Sequence, residues 1–196
     1  MRLRALLVAV AAGALGVGGC AASSTAAPTR AQAFTPSLTS ASSARPAESG
    51  TASGSCWEGS LALYQDASAW RCTAANQIMD PCFAPHDQPG ATQLICASAP
   101  WEPATRLDLT QPLPLEAANS PSSGPRPVWA FELTNRDRCV LGTGTAPQVG
   151  TLVLEYVCTS GANAGGLDRT HQPWTVQYRA PRSSTVRPVA LRTAWN

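Results

Sequence analysis

Few side chains in this sequence are suited to acid–base or nucleophilic catalysis. Its two histidines, His86 and His171, lie outside any Gly-x-Ser-x-Gly, His-Glu-x-x-His or phosphate-loop motif. All 14 basic residues are arginine, and without lysine the chain has no Schiff-base, Ser-x-x-Lys or phosphate-loop lysine chemistry. The sequence therefore favours a protein with neither enzymatic activity nor a cofactor. The alternative is a hydrolase that uses His86 or His171 as its general base.

The positions of the carboxylates and the net charge also fail to indicate a catalytic or nucleic-acid-binding function. Asp80, Asp87, Glu102 and Asp108 are dispersed over predicted loops, whereas glycosidases hold two carboxylates at a defined separation. From Cys56 to Asn196 the chain carries ten arginines against eleven aspartates and glutamates, so this part is nearly neutral. It contains no basic run interleaved with aromatic residues, and we predict no nucleic-acid partner.

Six of the seven cysteines fall in the region after residue 55. They are Cys56, Cys72, Cys82, Cys96, Cys139 and Cys158. Six cysteines allow 15 pairings. Turn signals between neighbours favour Cys139 with Cys158 and Cys82 with Cys96, which leaves Cys56 with Cys72. No two cysteines lie closer than ten positions, whereas zinc sites use close pairs such as Cys-x-x-Cys, so we predict disulfides and no metal.

The seventh cysteine, Cys20, ends the run Val17-Gly18-Gly19-Cys20, after an apolar stretch from Ala5 to Val17 that two arginines precede. This pattern is typical of an export signal, and the stretch is too short to span a bilayer. Its end resembles the lipobox of bacterial lipoproteins. That resemblance implies a signal peptide over residues 1–19, a diacylglyceryl group on the Cys20 sulfur and an acylated new amino terminus, with palmitate as a typical acyl chain. It also implies attachment to the extracytoplasmic face of the cell membrane.

The alternative for Cys20 is an ordinary buried or disulfide cysteine beside a signal that the general signal peptidase cuts. The number of cysteines favours lipidation of Cys20. Seven cysteines would leave one thiol unpaired in an oxidising compartment, whereas the other six can all form disulfides. The lysine-free composition, rich in alanine and arginine, resembles that of actinobacterial proteins.

Residues 20–54 are predicted to form the lipidated cysteine and a flexible tether. The segment after Cys20 is almost entirely Ala, Ser, Thr, Pro and Gly, with Phe34 as its one aromatic residue. Such a composition buries too little apolar area to offset the entropy of ordering the chain. A coil of this length would hold the following domain about 30 Å from the anchor.

Alternation of apolar and polar residues predicts antiparallel strands throughout residues 55–196. The strongest candidates are Val128–Leu133, Thr151–Cys158, Trp174–Arg179 and Val189–Trp195, and the shorter ones are Ser60–Leu63, Trp70–Ala74, Gln93–Ala97 and Arg106–Leu109. We predict a mainly β fold, a single disulfide-braced antiparallel β-sandwich or open barrel with long Pro-rich loops. Segment 110–127 is predicted as a surface loop, and a helical turn near 75–79 or within 60–68 stays open.

Six tryptophans are candidates for stacking against sugar rings. Trp70, Trp129 and Trp174 occupy alternating strand positions and are predicted to fill the core. Trp101, beside two prolines, is predicted to be exposed, and we name it with His86 as a candidate ligand-binding residue.

The stretches Ala69–Cys72, Asp80–Phe83 and Ile95–Trp101, together with Cys139 and Cys158, resemble a cysteine-containing extracytoplasmic domain of actinobacterial secreted proteins and lipoproteins. Proteins with this domain have no assigned function, so the resemblance brings no catalytic residues. We expect a membrane-anchored envelope lipoprotein that binds an envelope glycan, lipid or protein. The alternatives are the cell-surface hydrolase and a structural spacer without a saturable ligand.

Overall fold

The structure is a computed structural model that describes residues 26–34, 48–84, 90–114, 119 and 123–196. Regular structure in these ranges consists of strands, without helix. None of the described segments forms a helix long and apolar enough to cross a membrane. The predictions for the signal peptide, for Cys20 and for His86 concern positions outside these ranges.

Fourteen strands follow one another along the described chain, and period-two burial identifies their inner faces. They are β1 (Arg30–Gln32), β2 (Glu48–Gly59), β3 (Ala69–Ala74), β4 (Gln77–Phe83), β5 (Gln93–Cys96), β6 (Ala104–Leu109), β7 (Ala130–Leu133), β8 (Arg138–Leu141), β9 (Gln148–Val149), β10 (Leu152–Val153), β11 (Tyr156–Cys158), β12 (Asn163–Asp168), β13 (Thr175–Arg179) and β14 (Arg187–Trp195). In β13, for example, Val176 and Tyr178 are buried while Thr175, Gln177 and Arg179 are half-buried.

Strands β2 to β6 form a closed barrel, which we call the first barrel. Neighbouring strands from β2 to β6 pair antiparallel, and β6 then closes the ring by pairing parallel to β2. The centre of this barrel is filled by Trp70, Leu94, Leu107 and two disulfides, with Leu113 from the following loop packed against them. Closure leaves no open sheet edge in the ring, which removes the usual site of edge-to-edge association.

Strands β7, β8 and β11 to β14 form a second ring, which we call the second barrel. They are antiparallel neighbours in the order β14-β13-β12-β11-β8-β7, and the pairing of β14 with β7 closes the ring. The two short strands β9 and β10 form a separate hairpin between β8 and β11. Phe131, Leu133, Val176, Leu191 and the disulfide cysteines of this ring make its core.

The three disulfides confirm the predicted pairings. Each joins two residues directly opposite one another on adjacent antiparallel strands, with Cα atoms 3.9 Å apart: Cys56–Cys72, Cys82–Cys96 and Cys139–Cys158. The first two brace the first barrel and the third braces the second. Closing loops of these lengths contributes about 3 kcal/mol each in the chain-entropy model. With every described cysteine in a disulfide, no thiolate among them is left to bind a metal.

A third apolar cluster joins the two barrels. Leu63, Phe83 and Ala97 from the first barrel pack with Trp129 and Ala130 from the second. Around this cluster lie Phe34, Trp101, Val140, Leu141 and Trp195, all partly buried. The two barrels therefore share a continuous apolar interface.

The predicted mainly β, disulfide-braced fold is confirmed, but its finer architecture is different. In place of one sandwich or open barrel there are two closed sheets, because β6 returns to β2 and β14 returns to β7. Residues 60–68 form turns rather than a strand or helix, and 77–79 belong to β4 rather than to a helical turn. The hairpin before β4 turns through Ala75 and Asn76, both with positive φ.

Two parts of the predicted tether belong to the folded body. Residues 48–54 form the first half of β2, and β1 pairs in parallel with the end of β14. Beside it, Thr29 is buried and its hydroxyl donates to the carbonyl oxygen of Leu191 over 2.9 Å. The edge of β14 provides backbone hydrogen-bond partners for this segment, whose composition alone predicts a flexible chain.

Candidate ligand-binding surface

The most exposed aromatic group in a strand of the first barrel is Trp57, whose side chain is 50% exposed. Cys56 pairs with Cys72 and Glu58 pairs with Arg71, so Trp57 is the extra residue of a β-bulge. A bulge redirects the side chain that it carries, which is one reason bulges occur near binding sites. Here the redirected group is a large indole ring, held out from the barrel beside a disulfide.

The indole of Trp57 is supported by Arg71. The guanidinium carbon of Arg71 lies 5.6 Å from the centroid of the ring, a cation–π distance. Arg71 is itself held by an ion pair of 2.9 Å to Glu58, and its Nη2 donates to the carbonyl oxygen of Thr143 in the second barrel over 3.3 Å. Both barrels therefore position this pair of side chains.

Apolar side chains continue the same surface. Ile78 of β4 lies opposite Thr73 of β3, and Thr73 is two residues from Arg71, so Ile78 and Arg71 lie on one face of the sheet. The pKa of Asp80 responds to the charge of Arg71, and its carboxylate accepts the backbone N–H of Leu61 over 3.0 Å. These contacts link Leu61 to the Trp57 region, and the strand pairing places Ile78 beside it; both side chains are about half exposed. We call Trp57, Leu61 and Ile78, with Glu58 and Arg71, the aromatic face.

Asp80 has a structural role beneath this face. Its carboxylate accepts hydrogen bonds from the hydroxyl of Ser60 and from the N–H of Leu61. The Ser60 hydroxyl in turn accepts the N–H of Leu63, so the carboxylate organises the turn that presents Leu61. Burial raises the pKa of Asp80 above its ordinary value, although these hydrogen bonds oppose the shift. Asp80 was predicted to lie in a loop, but it belongs to β4, and its carboxylate stabilises a turn in a different part of the chain.

A second polar cluster lies at one end of the second barrel, around the buried Asp137. Its carboxylate accepts hydrogen bonds from the hydroxyls of Thr159, Ser160 and Tyr178 and from the backbone N–H groups of Arg138 and Ser160. Five donors occupy about all the lone-pair positions of a carboxylate, so this group has little capacity left to act as a base. Burial by itself raises the pKa of Asp137, but the hydrogen bonds from Ser160, Tyr178 and Thr159 outweigh it and the pKa falls below its ordinary value.

Trp101 and His171 are the predicted binding and catalytic candidates among the described residues, and neither belongs to the aromatic face. Trp101 was expected to be exposed, but it is half-buried between the barrels, edge-to-face with Trp195 at 5.4 Å and beneath the guanidinium of Arg138. His171 is exposed in the loop between β12 and β13, where its charge acts on Asp168. His86, the other candidate general base and a predicted ligand-binding residue, falls outside the described residues.

Sequence reasoning counted Trp57 among six tryptophans but did not single it out. The signal was present in the pairing of Cys56 with Cys72, because that disulfide places Trp57 and Arg71, one position away on each strand, side by side. No protein-family model, curated protein or solved structure matches this chain.

Proposed function

We propose that this protein is an exported, lipid-anchored binding module of the bacterial envelope and that the aromatic face of the first barrel binds a glycan. The observation that carries the proposal is the exposed indole of Trp57, supported on one side by Arg71. Sugar rings present C–H groups that pack against the face of an aromatic ring. Glu58 and Arg71 provide a hydrogen-bond acceptor and donors beside the ring, as recognition of hydroxyl groups requires.

The anchoring part of the proposal is supported by the lipobox resemblance at Cys20 and by three disulfides, which persist in oxidising compartments. It is tested by metabolic labelling of the full chain with an alkynyl fatty acid. Labelled protein in the membrane fraction is expected, and Cys20→Ala should abolish both the label and membrane retention. Unlabelled protein in the membrane fraction would contradict lipidation.

The glycan part is tested by thermal unfolding of the full chain in detergent, with disulfides intact, against oligosaccharides of the envelope. A ligand at a hundred times its Kd stabilises the folded state by about 2.7 kcal/mol, or about 5 to 10 °C for a chain of this size. Trp57→Ala should weaken binding about tenfold or more, as expected for an aromatic hot spot. Tyr64→Ala, which removes an exposed aromatic group without the arginine support, is the matched control.

The outcomes separate the possible ligand classes. A saturable shift that Trp57→Ala removes and Tyr64→Ala keeps supports the proposal. A shift with a lipid headgroup alone, or photo-cross-linking from position 57 to a protein only, would overturn the glycan assignment. Replacing His86 and His171 together should leave binding unchanged; loss of a hydrolytic activity in that double variant would instead support the alternative of a surface hydrolase.

A further inference from the structure

The docked segment around β1 shortens the connection between the folded body and the proposed lipid anchor. From composition, all residues after Cys20 up to residue 54 were expected to act as a tether. In the structure the chain is already held at Thr29. Its N–H donates to the side-chain carbonyl of Gln172 over 2.8 Å, and its hydroxyl accepts the N–H of Trp174 over 2.8 Å.

The remaining connection has a geometric limit. Eight residues lie between Cys20 and Thr29, and the nine Cα-to-Cα steps span at most about 32 Å when fully extended. As a coil it would span about 16 Å, and the fluctuations of so short a coil bring the surface within the screening length of about 8 Å at physiological salt. The surface around Thr29 would therefore stay within reach of the lipid headgroups.

That surface is basic. The guanidinium of Arg169 lies 5.2 Å from the ring centroid of Trp174, and its Nη1 donates to the backbone carbonyl of Arg126 over 2.9 Å. This bond uses one of the five N–H donors of Arg169. The side chains of Arg126 and Arg30 are exposed. Two described carboxylates lie nearby. The Oδ1 of Asp168 accepts hydrogen bonds from the N–H and hydroxyl of Thr170, and the carboxylate of Glu155 accepts the backbone N–H of Gly166.

We infer that this end of the second barrel faces the membrane and that Arg126 and Arg169 bind the phosphate groups of anionic lipids. The inference rests on the proposed lipidation of Cys20. Among the described residues near Arg169, three arginines stand against two carboxylates, Asp168 and Glu155, so the surface is positive, which matches an anionic bilayer. Arginine suits this role because its planar donors match phosphate geometry and its charge is permanent. The anchor and the basic end then act as two signals that together orient the body on the membrane.

The test uses the full lipidated protein reconstituted into vesicles of phosphatidylcholine, with or without phosphatidylglycerol. A donor dye is attached at His171→Cys, an exposed position beside Arg169, and energy transfer to an acceptor lipid reports the distance to the bilayer. Phosphatidylglycerol should increase the transfer. Each juxtamembrane arginine contributes about 1 kcal/mol, so Arg126→Gln with Arg169→Gln should lower the ratio of docked to undocked protein about 30-fold.

Matched variants test whether the change in energy transfer depends on Arg126 and Arg169 in particular. Arg136→Gln with Arg182→Gln removes the same charge from exposed turns elsewhere on the second barrel and should leave transfer unchanged, and Arg126→Lys with Arg169→Lys should retain most of the lipid dependence. Inserting about 20 Gly and Ser residues after Ala21 lengthens the connection and should reduce transfer in pure phosphatidylcholine.

Two failures are distinguishable. Protein that does not float with either vesicle type would contradict the lipid anchor and, with it, the proposed function. Protein that floats, but whose energy transfer ignores phosphatidylglycerol or responds equally to both glutamine pairs, would overturn the membrane-facing orientation alone. If the inserted linker leaves the energy transfer unchanged, the inference that a short connection holds the body near the bilayer is wrong.

Discussion

Replacing Phe34 by alanine should release the docked segment from the body without unfolding either barrel. The Phe34 ring packs between the two barrels, with its centroid 5.8 Å from that of Phe83 and 5.2 Å from that of Trp129. Two backbone hydrogen bonds of 3.0 Å join the same segment to the C-terminal residue: Phe34 N–H to the Asn196 carbonyl, and Asn196 N–H to the Gln32 carbonyl. The ring is thus the main apolar contact of a short strand.

The magnitude follows from the partial burial of this ring. Full burial of a phenylalanine contributes about 1.5 to 3 kcal/mol, and a half-buried ring about half of that. Aromatic pairing adds about 0.5 to 1.5 kcal/mol, for a total near 2 kcal/mol. Because this energy holds the segment rather than the barrels, opening of the segment should become about 30-fold more frequent, while global unfolding changes little.

Native-state hydrogen exchange measures this opening directly. The Phe34 and Asn196 amides should exchange about 30-fold faster in Phe34→Ala, whereas the Leu141 amide, bonded to the Trp129 carbonyl over 2.7 Å, should keep its rate. Ala31→Ser, at an exposed position of the same strand, is the control and should leave all three amides unchanged. Equal acceleration of the Leu141 amide would refute the reasoning, because it would make the segment part of the global folding unit.

The remaining predictions concern the barrels themselves. Asp137→Asn should destabilise the protein by about 2 to 3 kcal/mol at neutral pH. Because the folded-state pKa of Asp137 lies below that of the unfolded chain, its contribution is present above pH of about 4 and is lost as pH falls further, so chemical denaturation of the two proteins should converge in acid. The contribution of Asp80 to stability has the opposite pH dependence. Because its folded-state pKa is raised, the stability of the native protein relative to Asp80→Asn should increase as pH falls towards about 4. Gly54→Ala should cost about 3 kcal/mol or more, since the new Cβ would overlap a backbone carbonyl of β3, whereas Gly144→Ala meets open space and should change the midpoint of denaturation little. Ala75→Asn should raise stability by about 0.5 kcal/mol in the same assay, because asparagine tolerates the positive φ of the hairpin turn better than alanine; a loss of stability would contradict the assigned turn.

Much of the strand pattern was accessible from local sequence. In β7, for example, Phe131 and Leu133 alternate with Glu132 as predicted, and both apolar side chains are fully buried. The strand β12 was missed because Gly165 and Gly166 interrupt its alternation. Its backbone nevertheless pairs with β13 through a register shift, a feature that only the neighbouring strand specifies.

The candidate site was less accessible. The Trp101 prediction rested on two flanking prolines, which indicate a loop but not what covers the loop. In the structure, Trp195 and Arg138 from the second barrel cover it. Trp57 is exposed for the converse reason, since a bulge in β2 turns it away from the core.

The sequence by itself determined the chemistry and the local pairings: a lysine-free chain, strands of period two and three disulfides between cysteines 14 to 19 positions apart. These features depend on residues close together in the chain, where composition and turn signals act. Tertiary structure alone decided that the strands close into two barrels, that residues 26–34 dock on β14 and that Trp57 faces outward. Each of these depends on pairing between distant segments, such as β2 with β6 and β1 with β14, whose hydrogen bonds are made by backbone groups that every residue carries.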